Sequence, residues 1–221
     1  MTRRFQNTLC TLLFCLMITS VKAQVTSFTI DSSKFNLPLT KQLDSIFKED
    51  QNIRYAYIKL SEAKQQNTPE GKALLTKWKA TDSLNQIFVD KILTKYGWLG
   101  PQDVGMTASQ ALFLVIQHAN LPYQEKYLPM IRQAEKDGRI LSSNLAILED
   151  RVALRQGKKQ IYGSQVKVDA KTGEKSLQPL IDPDKVDERR KSMGLNPLAE
   201  YLEKSFQMKW DVEAYKKANS N

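Results

Sequence analysis

The sequence predicts an all-α fold, a compact multi-helix single domain with one small β-hairpin near its C-terminal third. Three observations carry this. Apolar residues recur at helical spacing through long segments that start near Pro, Ser, Thr or Asn and stop at Gly. Only one stretch, about residues 165–178, has two short strand-like runs flanking a glycine-containing turn. No internal repeat or low-complexity segment divides the chain.

Residues 1–23 read as a signal peptide and are set aside from the fold. Arg3 and Arg4 supply a positive start, residues 9–18 a short apolar run, and Val21-Lys22-Ala23 small residues at the two positions a signal peptidase reads. The run falls well short of the roughly 20 residues that span a bilayer. Phe14 before Cys15 and Leu9 before Cys10 lack the small residue of a lipid-attachment signal. The expectation is therefore export, periplasmic or secreted, with cleavage before Gln24 and no stable membrane anchor afterwards. Cleavage leaves 198 of the 221 residues and removes both cysteines, Cys10 and Cys15. Disulfides, thiol nucleophiles and cysteine-ligated metal centres are then excluded. The chain must fold on its core alone, for which its length is ample. Loss of Arg3, Arg4 and Lys22 lowers the net charge from +9 to +6. The remaining cations are interspersed with Asp and Glu, so no nucleic-acid partner is expected.

Residues 24–37 form a lead-in, in which Val25, Phe28 and Ile30 alternate as in a loose strand, and the helical domain covers 38–221. The first helix begins near Pro38 and runs to about Gln66. Thr68 caps a second at Pro69, with Leu74, Trp78, Phe88, Val89, Ile92 and Tyr96 on one face and Gly97 as its stop. Thr107 with Gln110 reads as a capping box for a helix through His118 that is apolar all round, and so central to the core. Pro122 opens the next helix and Gly138 ends it; Ser142 caps another, through Leu145, Leu148 and Val152 to Gly157. The hairpin follows, with strands 165–169 and 174–178. Two helices close the chain, at about 186–193 and from Pro197 onward with Asn196 as cap.

Several polar residues stand where this pattern calls for apolar ones. Asp50 and Arg54 lie on the stripe of Leu39, Leu43, Ile46, Phe47 and Tyr57, four apart on one face. Asn85 interrupts the stripe of Phe88, Val89 and Ile92. His118, the sole histidine, sits on the core helix, and Asp150-Arg151 closes an otherwise apolar helix, with Tyr162 and Gln165 at the hairpin base. Each alone reads as a hydrogen-bonded structural group. Together they suggest a shared polar cavity, because buried polar groups are costly when isolated.

One histidine excludes a histidine-cluster metal site, and no loop with oxygen-ligand spacing is present, so no metal or other cofactor is expected. Neither a phosphate-binding glycine loop nor a Gly-x-Ser-x-Gly elbow occurs. His118 with Asp50 or Asp150 has the composition of a general acid–base pair, and Arg54 or Arg151 of an anion clamp.

The landmarks Asp50-Gln51-x-x-Arg54, Gly97-Trp98, Gln117-His118-Ala119, Asp150-Arg151-Val152, the 157–165 segment Gly-Lys-x-Gln-x-Tyr-Gly-x-Gln, Arg189-Arg190 and Gly194-Leu195 resemble, in order, a bacterial family catalogued as domain of unknown function 6624. The resemblance covers about residues 40–205. It implies that Asp50, Gln51, Arg54, Gln117, His118, Asp150, Arg151, Gln160, Tyr162 and Gln165 are positions the family shares; it implies no activity. One departure is that the family's Gly-Trp-Pro is here Gly97-Trp98-Leu99-Gly100-Pro101.

The expectation is a polar site around His118 for a small polar or anionic ligand. His118, Asp50 and Asp150 are the catalytic candidates for hydrolase- or transferase-type chemistry. Arg54, Gln51, Gln117, Arg151, Gln160, Tyr162 and Gln165 are the binding candidates. The alternative is a non-enzymatic envelope or secreted interaction protein whose polar residues only set helix packing.

Overall fold

A computed structural model describes residues 24–169 and 172–219; the expected signal peptide, 1–23, lies outside the described residues. These residues form nine α-helices and a two-stranded antiparallel hairpin. The lead-in carries no strand. It holds a single 3-10 turn, Ser32–Lys34, and is tied to the fold by paired hydrogen bonds between Val25 and Ser142.

Helix α1, Leu37–Glu62, starts at Asn36, whose side chain accepts from the Leu39 N–H, with Pro38 in the first turn. Helix α2, Pro69–Tyr96, is capped by Thr68 and ends at Gly97, whose φ of 69° is the left-handed conformation that glycine adopts at little cost. Tyr96, expected on the apolar face of α2, is exposed instead, at the frayed end of that stripe.

Three expected helix starts are corrected, at Thr107, Ser142 and Asn196. A short helix, α3 (Pro101–Val104), precedes α4 (Met106–His118), and Gly105 ends the one and begins the other. Thr107 is therefore already inside α4, and Gln110 accepts from Asn144 of a later helix in place of closing a capping box. Helix α5 is Leu121–Lys136, capped by Asn120, and α6 is Ser142–Arg155. Ser142 opens α6 from its first turn, and its hydroxyl donates to Glu135 of α5 and accepts from Val25. Tertiary partners took the Ser142 hydroxyl, because a buried helix start offers more than its own N–H groups.

The hairpin pairs β1 (Val166–Val168) with β2 (Lys175–Leu177), with Val166 opposite Leu177 and Val168 opposite Lys175. Then follow α7 (Val186–Ser192), α8 (Leu198–Phe206) and α9 (Val212–Ala218). Asn196 does not cap α8. The Leu198 N–H donates to Asp187 of α7, and Asn196 bonds Glu200.

Two hydrophobic clusters hold these elements. The larger joins α1, α2 and α4 to α5 and α6 through Leu43, Val89, Leu112, Ile116, Ile131 and Leu148, all with essentially no exposure. Each such side chain contributes about 1.5–3 kcal/mol relative to an exposed one. Helix α4 is buried on nearly every side, as its all-round apolar pattern requires. The smaller cluster, Leu180, Val186, Leu198 and Leu202, organises the C-terminal third.

Candidate functional site

The polar residues of the core gather at two places. The first lies where α1, α2 and the C-terminal end of α4 meet. Asp50 and Arg54, one turn apart on α1, form a forked pair, with Arg54 Nε 3.0 Å and Nη2 2.9 Å from Asp50 Oδ1. Gln51 donates to the other carboxylate oxygen at 2.7 Å. His118 Nδ1 stands 3.3 Å from Asp50 Oδ1. With a proton on Nδ1 the ring donates to the carboxylate, and Nε2 has no hydrogen-bond partner among the described residues. Asp82 of α2 accepts from Arg54 Nη2 at 2.8 Å, so one guanidinium bridges two carboxylates. Trp78 lies beneath that guanidinium, its ring 4.7 Å from the Arg54 carbon, and is braced edge-on by Tyr57.

The side chains differ in access. Asp50 is 2% exposed, Arg54 14%, His118 20% and Asp82 23%, so the histidine and the second aspartate are the groups that solvent reaches. Burial pushes the Asp50 carboxyl upward, but the hydrogen bonds and charges of His118 and Arg54 outweigh it and hold the group at about 2. Asp82 moves the other way. Burial raises it, Asp50's charge adds to the rise, and Arg54 only partly opposes. Two carboxylates on one guanidinium are thereby driven apart in acidity, the pattern that separates proton donor from permanent anion in acid–base sites.

Asp82 escaped the sequence reading. The signal was present, since Trp78, Asp82, Asn85 and Val89 recur at steps of four, three and four along α2.

The second gathering surrounds the segment between α6 and the hairpin. Asp150, fully buried, accepts from the N–H groups of Ile161 (2.6 Å), Tyr162 (2.8 Å) and Ser164 (2.8 Å). Arg189 donates to the Ile161 carbonyl, and the buried Arg190 donates to those of Tyr162 and Asn196 while stacking on Tyr201. Gln160, also fully buried, donates to the carbonyls of Gln165 and Gln178 and accepts from the Gln165 N–H. Gln165 turns its amide onto Ser164, and Tyr162 reaches Glu149 at 3.3 Å. Asp150, Gln160 and Gln165 thus fasten the loop and hairpin, and the carboxylate that faces His118 is Asp50.

Between the two places lies Arg151 on α6, whose Nε is enclosed and without a hydrogen-bond partner. The amide oxygen of Gln117 and the amide nitrogen of Asn85 are likewise buried without partners. The larger cavities lie elsewhere. One of about 680 Å³ is lined by Ala56, Leu60, Gln65 and Leu74 at the α1–α2 pair, and His118 lines none of those described. Among the described residues no group of three or more His, Cys, Asp or Glu is placed to hold a metal ion, and no helix is long and apolar enough to cross a membrane.

The fold and site define a helical scaffold that fixes one histidine–carboxylate pair at a helix junction. The chain belongs to the family of unknown function DUF6624, whose sequence model matches residues 38–210. No curated protein and no solved structure matches it.

Proposed function

We propose that this chain is an exported helical protein that binds a small polar or anionic ligand beside His118, with His118 as general acid–base in hydrolase- or transferase-type chemistry. The observation that carries this reading is the partly exposed sole histidine facing a buried carboxylate that Arg54 and Gln51 lock in place. That geometry fixes the ring's orientation, so Nε2 takes a proton from water or a ligand hydroxyl as that oxygen bonds to the carbonyl or phosphoryl centre. The proton then returns to the leaving group as its bond breaks, which restores the neutral ring. Asp82, whose carboxyl burial makes the weaker acid, accepts from the same Arg54 guanidinium.

A second reading, an interaction protein whose polar residues only set packing, draws on the position of the large cavities away from His118. His118→Gln separates the two. It keeps size and a hydrogen-bonding edge but removes the titrating group. The expected variant melts close to wild type and loses ligand binding or turnover in a metabolite and ester screen. A variant that loses stability and retains every response of the wild type overturns the acid–base reading. Export is tested by N-terminal sequencing of secreted material, with Gln24 expected first; a product that retains Cys10 and Cys15 contradicts it.

A further inference from the structure

We propose that Arg151 anchors a terminal oxyanion of the ligand bound beside His118. This rests on the reading of that site as a ligand site and specifies the chemical class of what it takes.

The argument starts from an uncompensated charge. Arg151 forms no ion pair or hydrogen bond among the described residues, and its Nε is shut off from solvent. The side chain is half-buried, and enclosing its Nε without an acceptor is unfavourable. The anions nearby are already committed. Asp150, its neighbour in sequence, is taken up by three backbone N–H groups. Asp50 and Asp82 are held by Arg54. Burial disfavours its charged form most, the charges of Arg155 and Arg54 add to that, and Tyr201 opposes them more weakly. Two arginines flank this cation where a structural arginine has an anionic partner.

Its direction follows from α6. Arg155 is one turn further along the same helix face, and its Nη1 donates to the carbonyl of Ala119, the residue after His118, at 2.5 Å. That face therefore looks toward the C-terminal end of α4, where the histidine stands. The three N–H bonds that pin Asp150 hold α6 against the following loop and fix the base of the Arg151 side chain. A half-buried planar donor with an unused Nε, on the helix face turned toward the end of α4, matches a carboxylate or a phosphoryl group, both of which present paired oxygens to the guanidinium fork.

The test titrates the purified protein with inorganic phosphate and with acetate, using chloride at equal ionic strength as control. Calorimetry gives affinity, and the imidazole Cε1–H resonance, unique because His118 is the only histidine, reports proximity. At least one anion is expected to bind saturably and shift that resonance. Preference for phosphate indicates a phosphoryl ligand and preference for acetate a carboxylate. Arg151→Met should weaken binding roughly tenfold or more and leave anion-free stability equal to or above wild type. Should that variant not fold, Arg151→Gln carries the comparison. Absence of saturable binding by either anion, wild-type binding in the variant, or unfolding of both variants overturns the proposal. Binding that depends on Arg151 but leaves the His118 resonance unmoved overturns its placement beside His118. Failure of the acid–base reading is seen separately. Anion binding that survives in His118→Gln, with no other response lost, removes that reading and leaves the anchor in place.

Discussion

At the scale of single residues, Arg54 carries the largest electrostatic burden in the first cluster. Its guanidinium neutralises Asp50, bridges to Asp82 and covers Trp78. Arg54→Ala should destabilise the protein by roughly 3–5 kcal/mol, because it leaves a buried carboxylate with only Gln51 and His118. Chemical denaturation measures this. A loss below about 1 kcal/mol, the range of exposed pairs, contradicts the buried assignment. Asp82→Asn, at a more accessible carboxyl, should cost far less. The placement of Asp50 and Arg54 on an apolar stripe was legible from residue spacing. Their partners were not, since Asp82 is 28 residues from Arg54 and His118 is 68 from Asp50.

At the scale of elements, the family landmarks divide between two tasks. Asp50, Gln51, Arg54 and His118 build the junction of α1 and α4, while Asp150, Gln160, Arg189 and Arg190 clamp the loop between α6 and β1. Asp150→Ala should cost roughly 3–5 kcal/mol, as it strands three N–H groups from a charged acceptor. A catalytic role for Asp150 predicts the reverse, unchanged stability with lost function, and thermal melts beside a functional readout decide between them. Gly163 in the same loop has φ of 72°, and a Cβ there would meet Leu198 Cδ1 at 3.0 Å. Gly163→Ala should therefore cost about 1–2 kcal/mol from the left-handed backbone alone, with a further loss from the contact with α8. The helix starts that the sequence misassigned, at Thr107 and Ser142, have different causes. Gly105 takes the cap position of α4, and the Ser142 hydroxyl, suited to a cap, is equally suited to Glu135 of α5 and the Val25 N–H.

At the scale of the whole molecule, stability should fall in acid through Asp50. Its folded value of about 2 lies below its ordinary value of 3.8, so its contribution is fully present above about pH 4 and is lost as pH falls through about 2. The depression corresponds to roughly 2 kcal/mol. Asp82 works in the opposite sense. Its raised value adds stability at low pH that disappears as pH rises through that value, which flattens part of the curve. Denaturation midpoints measured between about pH 5 and pH 2 should show a shallower acid dependence in Asp50→Asn than in wild type. Equal slopes in the two proteins contradict the assignment of the acid limb to Asp50.

Periodicity alone determined the helical class, the central place of α4, the single hairpin, and the list of polar residues that break the apolar pattern. Those are local properties, written in the spacing of side chains along one element. Which of the polar residues meet was decided only in three dimensions. His118 had Asp50 and Asp150 as equal candidates by composition. The packing of α1 along α4 gave it Asp50, and the loop after α6 took Asp150 for its own N–H groups. A carboxylate is satisfied by the nearest donors. Which donors are nearest depends on how helices far apart in sequence pack, and that information is absent from any single stretch of chain.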